Sequence, residues 1–168
     1  TAFAADKNFV SEVCDADSAD LQLALHAIGD EANHLALNAY EKAKDNNRRA
    51  DARFRIEHAQ HLLPSDIPRF AKLGVTASMQ PLHKADDGRY VEKVLGKVRM
   101  KGSYAFRSLL DSGATVIFGS DWPVVSLDPF LGIDAAVNAR TLAGEVCMPE
   151  QSLTVEQAMR AYTLTPCT

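Results

Sequence analysis

Hydrophobic and polar positions divide the chain into four short strand-like runs, and a helical pattern follows each of them. The runs are LQLALHAI from Leu21, RFRIEHAQ from Arg53, GVTASMQP from Gly74 and ATVIFGSD from Ala114. Short apolar or alternating runs of this length are typical of strands. A repeated succession of strand and helix implies right-handed crossovers and a parallel sheet covered by helices. The pattern therefore predicts an α/β fold.

Helical periodicity is clearest behind the first run. One face of the segment GDEANHLALNAYEKAKDN carries Ala32, Leu35, Ala36, Ala39, Tyr40 and Ala43. This spacing predicts an amphipathic helix of about four turns. Residues 83–103 are mostly polar and predict a long loop with some helix of its own, a kind of segment that is often functional. Thr154 and Gln157 have the spacing of a capping box, which predicts a last helix.

A parallel α/β sheet is either doubly wound or closed into a barrel. A doubly wound nucleotide-binding sheet would carry a glycine-rich phosphate loop, and the chain contains neither GxGxxG nor GxxxxGKS/T. We therefore favour a barrel, in which side chains alternate between the interior and the helix layer. On the second strand this alternation predicts an interior face of Phe54, Ile56 and His58. It also predicts an Arg55–Glu57 ion pair buried under the helices.

Four successive predicted strands end in polar side chains. These are His26, His58, Gln80 and Asp121, and the carboxyl ends of barrel strands meet at one rim. Imidazole nitrogens and carboxylate oxygens are the ligands of a catalytic zinc or similar divalent ion, and an aspartate beside the activated water can accept its proton. A single histidine at a strand end is more often a hydrogen-bonded structural residue, but two histidines and an aspartate at equivalent ends favour a metal site.

The composition narrows the classes of partner and compartment. With 18 basic and 22 acidic residues the net charge is -4. The sequence contains no block of basic residues, so we expect no nucleic-acid partner. No stretch approaches the roughly 18 apolar residues of a membrane span, so we expect no membrane partner. Cys14, Cys147 and Cys167 are far apart and odd in number, which disfavours a disulfide framework or a cysteine-rich zinc site. A reducing compartment, the cytoplasm, fits best.

Five short motifs, in order and in register over nearly the whole chain, resemble the amidohydrolase superfamily. They are HAIGD from His26, RIEHAQ from Arg55, QPxH from Gln80, SYAFRSLL from Ser103 and GSDWPV from Gly119. The pattern is most similar to the amidohydrolase 3 group, which includes YtcJ-like metal-dependent hydrolases and N-substituted formamide deformylases. RFRIEHAQHL together with GSDWPV looks most like plant-type members of that group.

The resemblance implies a role for each matching residue. His26 and His58 would be metal ligands at the ends of barrel strands five and six, and Asp121 the strand-eight aspartate that binds metal and transfers the proton. Gln80 and His83 would lie near the substrate. Arg107 would face the same pocket. The implied reaction is hydrolysis of a C–N bond in a small amide-like substrate by water that a divalent metal, zinc, activates.

The resemblance also implies parts that this chain does not hold. Many members of the family carry an HxH pair after strand one and a lysine or acidic ligand after strand four. We therefore expect residues 1–168 to form a partial hydrolase barrel domain, strands five to eight of a (β/α)8 TIM-type barrel, without the N-terminal half and the β-sandwich region. A first residue other than methionine agrees with a piece of a longer polypeptide.

Half a barrel leaves its first and last strands as open edges. We expect the missing N-terminal half, or a second copy of the chain, to pair with these edges, and we expect the chain alone to be inactive. The rival hypothesis is a catalytically inactive barrel domain with an interaction or regulatory role, for example in signalling. The presence of His26, His58 and Asp121 together favours the enzyme, because an inactive domain has no chemical need for all three.

Overall fold

A computed structural model describes residues 8–167, and its centre is one sheet of four parallel strands. The strands are β1 (Ala24–Ala27), β2 (Arg55–His58), β3 (Thr76–Met79) and β4 (Val116–Phe118). Each strand pairs with the next along the chain, in the order β1-β2-β3-β4. A doubly wound sheet reverses its strand order at a switch point, whereas a barrel does not. The predicted α/β class is confirmed, and the four units have the order of a partial TIM-type barrel.

Eight α-helices in residues 8–167 surround or extend this sheet. They are α1 (Phe9–Ser18), α2 (Asp30–Asn47), α3 (Ile67–Leu73), α4 (Pro81–Asp87), α5 (Val91–Met100), α6 (Phe106–Asp111), α7 (Pro129–Asn138) and α8 (Val155–Tyr162). The predicted helix after the first strand is confirmed as α2, with Asp30 and Glu31 in its first turn, where the helix dipole favours acidic groups. The predicted capping box is confirmed at α8, where Thr154 and Gln157 exchange hydrogen bonds.

The prediction of a long loop over residues 83–103 is wrong in its main part. Helices α4 and α5 occupy most of the segment, and α5 is interrupted at Gly96, which adopts φ of +75°. Pro81 stands in the first turn of α4, where a proline is well tolerated. The first five residues of α4 are buried although two of them are His83 and Lys84. Polar residues that are buried by tertiary contacts do not produce an apolar stripe, so the periodicity of the sequence missed this helix.

The hydrophobic core lies between one face of the sheet and the helices. Phe54 and Ile56 of the second strand segment are almost fully buried, and Phe54 stacks on Tyr40 of α2 with ring centroids 4.3 Å apart. This overturns the predicted assignment of faces on β2. Arg55 and Glu57 form the predicted ion pair, but the pair lies on the opposite face and is partly exposed.

The register of the sheet shows which residues share that opposite face. Ala24 is paired with Arg55, and His26 is paired with Glu57. Adjacent partners in a sheet project to the same side, so the exposed face of β1, which carries Ala24 and His26, continues through the charged residues of β2. The apolar residues Phe54 and Ile56 face the helices because only that side of the sheet is covered within residues 8–167.

Two exclusions made from composition can be compared with the structure. None of the helices in the described part of the chain is both long and apolar enough to cross a membrane. Cys14, Cys147 and Cys167 are free thiols in the structure.

Candidate metal centre

Three candidate ligands meet at the carboxyl-terminal edge of the sheet. His58 ends β2, His83 lies in α4 directly after β3, and Asp121 follows β4. Each offers one ligand atom, and the three atoms lie within 4.8 Å of one another. The Nε2 atom of His83 is 3.8 Å from Oδ2 of Asp121. Both imidazoles are buried, whereas 39% of the Asp121 side chain is exposed, so the cluster opens to solvent on the carboxylate side.

An unusual backbone brings His58 to this edge. Regular alternation along β2 would place His58 on the same side as the buried Ile56, facing the helices. Instead His58 has φ of +73° and Ala59 has φ of +45°, and Asp121 has φ of +56°. Each such residue costs on the order of 1–3 kcal/mol, and strained residues of this kind cluster at functional sites. The left-handed backbone therefore distinguishes His58 and Asp121 from residues at ordinary strand ends.

Gln80 fixes the tautomer of His58. Its Oε1 atom accepts a hydrogen bond from Nδ1 of His58 at 2.9 Å, and its Nε2 atom donates to the carbonyl of Ser78 at 3.3 Å. Because an amide oxygen only accepts, Nδ1 carries the proton and Nε2 keeps a free lone pair. Burial, and then the neighbouring His26, lower the pKa of His58. The neutral imidazole, which is the metal-binding form, is therefore favoured.

The buried Nε2 atom of His83 has no hydrogen-bond partner among residues 8–167. Only 9% of the residue is exposed. An orphaned buried polar atom is costly, typically about 1–3 kcal/mol, and is rare in folded proteins. A cation held between this atom, His58 and Asp121 would satisfy it. Two imidazole nitrogens and one carboxylate oxygen are a donor set that suits Zn²⁺, so these residues fit a metal.

The remaining predicted site residues occupy different positions. His26 lies beside the cluster, with its ring edge-on to that of His58 and the centroids 4.4 Å apart, but it is not one of the three converging ligands. Gln80, predicted near the substrate, is buried and binds His58. Arg107 is not brought to the cluster: its Nε and Nη2 atoms donate to the carbonyl of Ser152 at 3.2 and 3.0 Å, which ties α6 to the segment before α8.

Asn33 supports the edge of the sheet and was not singled out in the sequence. Its Nδ2 atom lies 2.9–3.3 Å from four carbonyl oxygens, those of Ala27, Ile28, Gly29 and His61. The end of β1 is thereby tied to the chain just beyond His58. The one signal in the sequence is a polar residue within the apolar face of α2, at the first turn of the helix.

The variant Asn33→Ala is expected to lower the free energy of unfolding by about 2 kcal/mol, because it removes the buried side-chain donor that ties the end of β1 to the carbonyl of His61. Urea unfolding of the metal-free chain measures this change. Asn38→Ala is the matched control, since Asn38 lies on the exposed side of the same helix and contacts Arg69. The control should change stability by less than about 0.5 kcal/mol. Equal stability of the two variants would contradict the support that we assign to Asn33.

Comparison with known proteins decides the family. The sequence profile of the amidohydrolase family, in its amidohydrolase 3 form, matches residues 6–168. The chain belongs to the amidohydrolase family. The resemblance read from the five motifs is therefore confirmed.

Three named proteins are similar in sequence to this amidohydrolase chain. It is 50% identical over 123 residues to the protein LONG AFTER FAR-RED 3 of Arabidopsis thaliana, a match that covers 73% of the chain and 21% of that protein. It is 37% identical over 146 residues to "Putative amidohydrolase YtcJ" of Bacillus subtilis, covering 85% and 27%. It is 30% identical over 147 residues to the N-substituted formamide deformylase of Arthrobacter pascens, covering 87% and 27%.

The fold is similar to that of a solved protein as well. An uncharacterized metal-dependent hydrolase from Pyrococcus horikoshii aligns with a TM-score of 0.79 and 31% identity, over 93% of this chain and 32% of that one. The amidohydrolase chain thus spans between a fifth and a third of the length of these relatives. Its matches include hydrolases, one of them described as metal-dependent.

Proposed function

We propose that this chain supplies part of the metal site of an amidohydrolase that cleaves an amide-like C–N bond in a small molecule. The observation that carries the proposal is the convergence of His58, His83 and Asp121 around the orphaned Nε2 atom of His83. A zinc ion held there would supply the activated water for hydrolysis. The names of the relatives, an amidohydrolase and a formamide deformylase, support the C–N bond as the target.

The residues of the site divide the remaining tasks among them. Asp121 is the most exposed of the three and therefore the best placed to accept a proton from water and return it to the leaving amine. His58, whose tautomer is set by Gln80, and His83 would hold the ion from the buried side. We assign His26, which touches the ring of His58, as a further ligand at the exposed rim, in line with the family resemblance.

The open face and edges of the sheet suggest how the chain works within a larger assembly. The face that carries His26, Arg55 and Glu57 is partly exposed within residues 8–167, and it would become the interior once the barrel closes. We propose that the missing barrel half, or a second copy, pairs with β1 and β4, and that the chain alone is inactive. The chain covers only 21% and 27% of two of its relatives, which supports the missing barrel half as the partner.

The cellular location stays a prediction. Three free thiols support our proposal of a reducing compartment, the cytoplasm, because extracellular domains more often use their cysteines in disulfides.

Hydrolysis of N-substituted formamides by a full-length protein that contains this chain tests the proposed function. We expect the Zn²⁺-loaded protein to release the amine, a chelator to abolish the reaction and added Zn²⁺ to restore it. Asp121→Asn should lower kcat by about 100-fold or more, because it removes the proton acceptor. His34→Ala is the control, since His34 pairs with Asp66 on the helix side of the fold.

Two results would contradict the proposal in different ways. Full activity of Asp121→Asn would remove the role of that carboxylate. A full-length protein that binds Zn²⁺ but hydrolyses none of a broad set of amides would favour the rival hypothesis, an inactive domain with an interaction or regulatory role.

A further inference from the structure

The carboxylate of Asp87, the last residue of α4, accepts hydrogen bonds from three side chains. Gln60 donates its Nε2–H to Oδ2 at 2.6 Å, the hydroxyl of Tyr104 donates to the same oxygen, and the hydroxyl of Tyr90 donates to Oδ1. Burial and then the charge of Asp87 raise the pKa of Tyr104, and the bond to Asp87 raises the pKa of Tyr90 to about 12. Both hydroxyls therefore keep their protons and act as donors.

Two segments that carry candidate ligands meet at this carboxylate. His83 lies four residues before Asp87 on α4, so the two side chains stand one turn apart on the same side of the helix. Gln60 follows immediately after the left-handed pair His58 and Ala59. One carboxylate thus connects the helix of His83 with the strained turn of His58.

Tyr104 closes this connection through its backbone. Its N–H donates to the carbonyl of Gln60 at 2.7 Å, while its hydroxyl donates to Asp87. Gln60 and Tyr104 are 8% and 1% exposed, so little water competes for these bonds. Gln60 is therefore held by Tyr104 at its main chain and by Asp87 at its side chain.

We infer that Asp87 is a positioning residue of the metal centre, which holds His58 and His83 at ligand distance through Gln60 and Tyr104. The inference rests on the proposed function, because it assumes that these histidines bind an ion. The turn at His58 and Ala59 stores strain on the order of 1–3 kcal/mol per residue, and it persists only where surrounding bonds hold it. Without Asp87 the turn can relax, and the ligand atoms then separate.

The chemistry of the three donors explains why the residue is a carboxylate. An amide N–H and two hydroxyl protons point at one group, and only an ionised carboxylate accepts from all of them without presenting a proton of its own. An asparagine at the same place would turn its NH₂ group towards at least one donor. A neighbouring carboxylate, Asp86, has a different environment, since it pairs with Arg89 at the surface.

The affinity for Zn²⁺ of the full-length protein that contains this chain, measured by calorimetry, tests this role. We expect Asp87→Ala to lower the affinity by about 10–100-fold, the usual effect of losing a residue that orients a ligand. Asp86→Ala removes the same charge one residue earlier on the same helix, and it should leave the affinity within about twofold, because the carboxylate of Asp86 pairs with Arg89 at the surface. Urea unfolding of the metal-free variants gives their stability separately.

A rescue variant distinguishes positioning from general stabilisation. Asp87→Asn alone should lose affinity, and the double variant Asp87→Asn with Gln60→Glu should regain part of it, because the amide and the carboxylate exchange places and the bond between these two side chains is restored. If Asp87→Ala does not fold, Tyr104→Phe removes one of the donors and keeps the ring, with an expected loss of about 3–10-fold.

The possible failures are distinguishable. If the unchanged full-length protein binds no Zn²⁺, the proposed function falls and this inference falls with it. If that protein binds Zn²⁺ and a folded Asp87→Ala variant binds it equally well, only the inference is overturned. Lower stability of Asp87→Ala with unchanged affinity would also overturn it, since that result describes a merely structural residue.

Discussion

His58→Ala is expected to lower the affinity for Zn²⁺ of the full-length protein that contains this chain by about 100-fold or more, because it removes one of the proposed protein ligands. His58 belongs both to the ligand set implied by the family resemblance and to the set that converges in the structure. Its Nε2 atom is left available by the hydrogen bond from Nδ1 to Gln80. Calorimetric titration with Zn²⁺ near neutral pH measures the change.

Two further variants in the same assay compare His83 with His26 as ligands. The buried, unpartnered Nε2 atom of His83 leads us to expect a larger loss for His83→Ala than for His26→Ala. The opposite order would restore the set implied by the resemblance, His26, His58 and Asp121. His34→Ala serves as the control, because it removes a histidine that is bound to Asp66. Unchanged affinity of His58→Ala would refute a metal site at this edge of the sheet.

The second large effect concerns stability. Lys84→Met is expected to stabilise the chain near neutral pH, and the gain is expected to shrink as the pH rises from about 8 to 10.5. Lys84 is only 1% exposed, its Nζ atom donates to the carbonyl of Met148 at 3.3 Å, and the ring of Phe106 lies 5.8 Å away. No carboxylate within residues 8–167 forms an ion pair with it.

The direction follows from the two protonation states of the lysine. Burial lowers the pKa of Lys84 from its ordinary value of 10.5 to about 8 in the folded chain. Between these values the unfolded chain binds a proton that the folded chain does not, so the free energy of unfolding rises with pH. Below pH 8 both states are charged and the cost of burying the ammonium is fully present. A pKa shift of this size corresponds to a stabilisation of roughly 3 kcal/mol for the variant. The variant also loses the hydrogen bond to Met148, which makes the expected gain smaller.

The measurement is the difference in unfolding free energy between Lys84→Met and the unchanged chain, taken by urea unfolding at several pH values. The difference is needed because burial also raises the pKa of Tyr40 and Tyr104, which lowers stability in strong base in both proteins. Lys72→Met is the control, since Lys72 is 72% exposed and pairs with Glu41. A constant difference between pH 7 and pH 10 would mean that the buried lysine keeps its ordinary pKa.

The limits of the sequence are clearest along β2. Alternation separates Phe54 and Ile56 from Arg55 and Glu57, but a period of two does not say which set the helices cover. The structure shows that the apolar pair faces the helices, opposite to the prediction. His58 nevertheless reaches the predicted edge, because its left-handed backbone interrupts the alternation. The predicted position of His58 was right although the face of the strand was wrong.

The sequence by itself determined the four strand and helix units, their parallel order, the capping box of α8, and the polar residues at the strand ends, including His58 and Asp121. These features depend on local periodicity and on short motifs. The tertiary structure alone decided that His83, rather than His26, converges with them, that residues 83–103 are mostly helical, and that Asn33 and Asp87 support the edge. Those features depend on contacts between residues far apart in the chain, where burial and unmet hydrogen bonds are set by packing that no local pattern encodes.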